Sequence, residues 1–209
     1  MSGSDVKAVF IEADTDAADA DGVATSQTPS GAGNLTINGA KASGGVATFN
    51  AARQVTITCA GADSGRTFTI TGTDVNGDAV TEAISGADAD VSTSTKHFLT
   101  VTQIAVDDAT AGAVTAGMNT SAIAVVFAGR SRLKGAFIVN SANAGSVSFR
   151  DSSDAGESGT TLLQLGTVAS ATAERDVTIP EQGISFSSGL YVPYTAGTTV
   201  WTNMTVFHA

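Results

Sequence analysis

The stretch RTFTITGTDVNGDAVTEAIS, Arg66 to Ser85, decides the fold. Apolar and polar residues alternate up to Thr73, the pattern breaks at Asn76-Gly77, and the alternation resumes to Ser85. A period of two puts every second side chain on one face of a strand, so two such runs around an Asn-Gly turn read as a β-hairpin. The loop length follows from which side chains must share a face. A two-residue Asn76-Gly77 loop sets Phe68 and Ile70 opposite Ser85 and Ala83, which wastes the pattern. A three-residue loop, Val75-Asn76-Gly77, is a type I turn closed by Gly77 at positive φ; it pairs Phe68 with Ile84 and Gly72 with Val80. The bulged loop is therefore expected. Thr110-Ala111-Gly112, Asn143-Ala144-Gly145 and Thr195-Ala196-Gly197 look like the same device, with glycine where the backbone needs positive φ.

The rest of the chain repeats this texture. AVFIEA, NLTING, VATFN, QVTITCAG, FLTVTQIAV, GAFIVN, SVSFRD and TVWTNMTVFH are short, rich in β-branched residues and separated by glycine-rich turns, whereas a period of 3.6 is hard to find. The expected fold is all-β: two small antiparallel β-sandwich or barrel-like domains with an extended N-terminal arm. Residues 1–33 form an N-terminal strand and arm, 34–128 a Thr-rich β domain, and 129–209 a C-terminal β domain that begins near the basic run RSRLK. The segment Glu12 to Gly33 has little apolar content and many turn formers, so it reads as a long loop able to reach a neighbour. On that reading, removing residues 1–30 leaves a folded protein.

Composition narrows the function classes. Of 209 residues, 20 are Asp or Glu and 10 are Lys or Arg, a net charge of −10, and a nucleic-acid groove or anionic membrane surface needs the opposite balance. The longest apolar run, AIAVVFA, falls far short of the roughly 20 residues that cross a bilayer. Neither nucleic acid nor membrane is expected as a partner. A single cysteine, Cys59, permits no internal disulfide, and MSGSDVKAVF lacks a basic n-region followed by an apolar h-region. Synthesis and assembly in the cytoplasm are expected.

Candidate chemistry is sparse. DVNGDAVTE offers Asp74, Asn76, Asp78 and Glu82 as oxygen donors, but an EF-hand loop needs glycine at its sixth position, where Ala79 stands, and its closing Glu at the twelfth rather than the ninth. Glu12 with Asp14, Asp16, Asp19 and Asp21 could gather a loosely held Ca²⁺; a solvated acidic loop is the simpler reading, so no resident metal or cofactor is expected. The two histidines, His97 and His208, read as solvent-facing or edge residues with no triad around them. GAGNLTING starts like a dinucleotide fingerprint but has Thr36 in place of the third glycine. Trp201 is out of phase with Met204 and Val206, which suggests partial exposure, although core or interface packing suits it better. Arg130, Arg132 and Lys134 make the one dense basic cluster and, with Glu12, Asp14 and Asp16, are the expected partner contacts. No catalytic residue is expected.

The block QVTITCAGADSGRTFTITGTDVNGDAVTEAISGADADVSTSTKHFLTVTQIAVDDATAGAVTAG, Gln54 to Gly117, resembles a domain of virion structural proteins of tailed bacteriophages, marine ones especially. RLKGAFIVNSANAGSVSFRDSSDAGESGTTLLQL, with IPEQGISFSSGLYV, is similar to another small β module of phage particle proteins. The resemblance implies a head decoration (cement) protein, made in the host cytoplasm and located on the virion. Its implied partner is the major capsid protein, met as a homo-oligomer, a trimer being the simplest. The alternative is a tail, fibre or adhesion protein whose second domain binds a receptor or glycan. That resemblance assigns no residue a role.

Overall fold

The computed structural model describes residues 5–170 and 173–209. Every regular element in it is a strand. In chain order these are β1 (Lys7–Glu12), β2 (Asp19–Gln27), β3 (Gly33–Asn34), β4 (Ala42–Ser43), β5 (Val46–Cys59), β6 (Thr67–Thr73), β7 (Ala79–Ser85) and β8 (Val91–Val106). The second half holds β9 (Val114–Phe127), β10 (Ser131–Asn140), β11 (Gly145–Asp151), β12 (Thr160–Thr167), β13 (Glu174–Thr178), β14 (Ile184–Phe186), β15 (Leu190–Thr195) and β16 (Trp201–His208). These strands pair antiparallel, and the fold is all-β of the sandwich kind.

The chain divides into two compact units, one made of residues 1–16 and 123–209, the other of 17–122. The division differs from the boundary read at residues 128–130, because β9 is a single strand that runs unbroken through residues 122 and 123. The glycine at 129 marks only the turn into β10.

The 17–122 unit is built on the hairpin that opened the sequence. β6 and β7 pair Phe68 with Ile84 and Gly72 with Val80, the register of the three-residue loop. Gly77 has φ +85° and its amide donates to the Asp74 carbonyl (3.1 Å), while the Asp74 amide donates to Asp78 O (2.9 Å). The Asp74 carboxylate that looked like a calcium ligand instead accepts the amides of Asn76 (2.8 Å) and Asp78 (3.0 Å), the ordinary turn chemistry of aspartate. Gly197 also has positive φ (+74°), but Gly112 and Gly145 do not, so the device does not recur at those two turns. Gly112 is small for another reason: its backbone lies against that of Gly61, where a Cβ would meet the Gly61 amide nitrogen at 2.7 Å.

β8 serves two neighbours. Its residues 91–101 pair with β5 and its residues 100–106 with β6. β7, last in the strand order, also reaches β8: Glu82 accepts the amides of Thr95 (2.9 Å) and Lys96 (2.8 Å) and the Thr95 hydroxyl (2.8 Å). These bonds satisfy amides of β8 that lie where its ladder with β5 is interrupted, between Thr93 and His97. Inside lie Phe49, Val55, Ile57, Phe68, Phe98 and Ile104, together with Val23 and Ala24 from β2.

The other unit is a sandwich. One sheet has the order β1-β16-β10-β13, with β14 also on β10; β12-β11-β15 supply the facing layer. Leu133, Ile138, Met204 and Val206 from the first meet Val147, Phe149, Leu190 and Val192 from the second, around a fully buried Trp201 whose ring lies 5.1 Å from that of Tyr194. Trp201 is thus core rather than partly exposed, and burying such an aromatic is worth about 2–3 kcal/mol. Asp151 ends β11 and holds the turn before β15: it accepts the Ser187 amide (2.9 Å) and hydroxyl (2.7 Å) and the amides of Ser188 (2.9 Å) and Gly189 (3.2 Å). Burial pushes its carboxyl up, but these four donors outweigh it and hold the pKa down to about 2.

The N-terminal segment is not a free arm. β1 pairs with β16 from Lys7↔His208 to Glu12↔Asn203, and β2 pairs with β9, so residues 7–12 belong to one unit and 19–27 to the other.

Candidate docking face

Alternation sorts β1, β16, β10 and β13 into two sets. Val9, Ile11, Met204, Val206, Ala136 and Ile138 point into the sandwich core. The intervening residues form the opposite face, and the registers arrange them as a grid. One row across the sheet is Glu12, Asn203, Val139, Glu174; the next is Phe10, Thr205, Phe137, Asp176; the third is Ala8, Phe207, Gly135, Thr178. Phe207 stands between Ala8 and Gly135 in its row. Phe10 and Phe137 flank Thr205 in the adjacent row, a diagonal step from Phe207 that aromatic side chains can span.

Phe10 is 60% exposed and Phe207 36%, with Val6, 52% exposed, next before β1. Single exposed apolar residues are common on folded proteins, but aromatics clustered on one sheet face mark a surface that meets something. Around this centre stand Glu12, Glu174 and Asp176, all exposed. No Lys or Arg lies on the three rows.

Of the residues read from sequence as partner contacts, Glu12 lies on this face and the others do not. Asp14 is buried: its amide donates to the Tyr194 hydroxyl (3.2 Å), its carbonyl accepts the Gly197 amide (3.2 Å), and its carboxylate accepts the Asp16 amide (2.9 Å). Arg132 and Lys134 donate to the carbonyls of Gln182 (3.3 Å) and Glu181 (2.7 Å), tying down the turn between β13 and β14. Arg130 is exposed beside them. The calcium candidates are not brought together as a ligand set. The Asp19 carboxylate accepts the Asp21 amide (3.2 Å), and among the described residues no three His, Cys, Asp or Glu side chains are gathered as a metal ion requires.

Both histidines, read from sequence as solvent-facing or edge residues, are buried on interior strands. His97 is buried, with Nε2 2.8 Å from Ser121 Oγ, and the Ser121 amide donates to Asn119 Oδ1 (2.9 Å), while Asn119 Nδ2 donates to Gln54 Oε1 (2.8 Å). This network sits where the register of β5 on β8 shifts, and it satisfies groups that the interrupted ladder leaves over. His208 is buried at the end of β16, 3.1 Å from Ser131 Oγ through Nδ1 and 5.2 Å, centroid to centroid, from the Phe127 ring. Burial first, and then the charge of Lys7, pushes its pKa below the ordinary 6.5.

These shifts give a two-step acid response. Below pH 6.5 the unfolded imidazole binds a proton that folded His208 resists, so stability falls there; it falls again between pH 3.8 and about 2, as Asp151 is protonated against its four donors. The second step is expected to be worth about 1–2 kcal/mol, because Asp151 is partly screened by water. Urea midpoints measured from pH 8 to pH 2 should lose the first step in His208→Gln and show a smaller second step in Asp151→Asn, the remainder coming from Asp154 and Asp88, whose hydrogen bonds also hold them below the ordinary carboxylate range. An unchanged profile in either variant would remove that residue from the account.

The fold is all-β of the sandwich kind, with aromatic side chains exposed on one face of the β1-β16-β10-β13 sheet. No protein family, no curated protein and no solved structure matches the chain.

Proposed function

We propose that this chain is a non-enzymatic structural protein of a tailed-bacteriophage particle, a decoration protein that docks on the outer capsid surface and cements it. The observation that carries the reading is the open aromatic face of the β1-β16-β10-β13 sheet, held on a rigid two-layer scaffold. The resemblance of Gln54–Gly117 to virion structural domains supports it, as does a net charge of −10, which keeps the protein off packaged nucleic acid. Its partner is then the major capsid protein. Copies bind as a homo-oligomer, a trimer suiting three-fold junctions, and interfaces of order 1,000 Å² suffice when symmetry repeats them. Each bridge opposes separation of neighbouring capsid subunits.

The test is to mix the purified protein with shells that lack it and count bound copies per particle. Saturation at a number fixed by the shell's symmetry axes is the expected result. Binding of only a few copies, at the tail, would replace this reading with a tail or fibre role, and binding nowhere on the particle would end it. EDTA is expected to leave the count unchanged.

A further inference from the structure

We infer that the aromatic face takes a surface of another protein in which lysine or arginine side chains flank an apolar centre, rather than a second copy of this chain. The inference deepens the docking reading and rests on it only for the name of the partner. The face is apolar in the middle, with Phe10, Phe137 and Phe207, and anionic at its margin, with Glu12 at one side and Glu174 and Asp176 at the other. Because no cation lies on the grid, two copies meeting face to face would set three carboxylates against three, with no cation within either grid to neutralise them as water is excluded; Lys7 lies beyond its end, beside His208. Such like-charge pairing costs binding energy, whereas a basic rim on the partner meets the same carboxylates favourably and steers the encounter. Arg132 and Lys134, the cations nearest along β10, already donate to the Gln182 and Glu181 carbonyls. Self-association, where it occurs, uses other surfaces.

The chemistry is tested with two peptides of the same length, one alternating Phe and Val with Lys and the other alternating them with Glu. Each is titrated into the full chain and followed by amide chemical shifts. The expected result is a set of shifts confined to the three rows for the lysine peptide, at least tenfold weaker for the glutamate peptide and shrinking as salt rises. Phe10→Ser with Phe207→Ser should abolish them, and both positions are exposed enough for the chain to stay folded. The triple variant Glu12→Lys, Glu174→Lys, Asp176→Lys should invert the preference and serves if the serine pair fails to fold. Equal binding of both peptides, shifts elsewhere on the chain, or a wild-type dimer that the serine pair dissolves in sedimentation would each overturn the inference. On shells, carbodiimide coupling that joins Glu12, Glu174 or Asp176 to lysines of the shell protein would support it, and coupling to lysines of another copy would overturn it. A chain that ignores shells yet prefers the lysine peptide would refute the decoration reading and leave this inference standing.

Discussion

A chain lacking residues 1–30 is expected to lose cooperative folding in both of its units. β1 supplies Val9 and Ile11, with Ala13 after them, to the sandwich core, and its removal uncovers the flank of β16. β2 supplies Val23 and Ala24, 0% and 1% exposed, to the other core. It also supplies acceptors: Val23 O takes the amides of Asn38 (3.1 Å) and Gly39 (3.0 Å), and Gly22 O takes that of Lys41 (2.7 Å). Burying a Val or Ile is worth about 1.5–3 kcal/mol, and an amide left without its acceptor costs about 1–3 kcal/mol. Losses of that size at several positions reach the whole stability of a domain, about 5–15 kcal/mol. Far-UV dichroism under urea should show no native baseline for the truncated chain. A sharp transition near that of the full chain would mean that neither strand is structural. The result also bears on function, since partner binding lost on such a truncation reports unfolding and not the removal of a clamp.

The segment looked like an arm for an identifiable reason. DADGVATSQ buries only a short run of small residues, Gly22 to Ala24, and is held mainly by backbone contacts, so it carries neither the alternation nor the bulk by which strands are recognised in sequence. The hairpin at Arg66–Ser85 was legible down to its register because loop chemistry and alternation specify the same pairing. Where only one of the two was present, as at Gly112 and Gly145, the turn type was misread.

The aromatic face was hidden differently. VFI in β1, FIV in β10 and VF in β16 are apolar at successive positions, so nothing in the sequence says which set faces inward. Phe10, Phe137 and Phe207 come together only through pairings between distant strands. A signal was nonetheless present. Antiparallel strands apolar on both faces, in a chain of net charge −10, imply that the second face also meets something. The predicted contacts went to charged residues instead, and of these Arg132, Lys134 and Asp14 are occupied in fixing turns and strand ends.

Gly117→Val is expected to destabilise the 17–122 unit by about 3 kcal/mol or more, the upper end of overpacking effects. Gly117 lies on β9 where β2 crosses closest, and a Cβ there would run into the Asp19 carbonyl oxygen and the Ala20 backbone. Neither obstacle is a side chain that can swing away. β2 is fixed on its far side as well, since the Thr25 amide and hydroxyl both donate to Asn38 Oδ1 (3.0 and 2.9 Å), so relief of the clash requires the strand to lift off with Val23 and Ala24. Gly166 on β12 is the control: a Cβ there meets nothing within 4 Å and its φ is not positive, so Gly166→Ala should be neutral or stabilising by about 0.5 kcal/mol through the lower entropy of the unfolded chain. Urea midpoints for the two variants, compared at unchanged m-value, separate packing against backbone from the general cost of losing a glycine. If Gly117→Val unfolds at the wild-type midpoint, β2 does not lie on β9 in solution, and the expectation that truncating residues 1–30 destroys this unit fails with it.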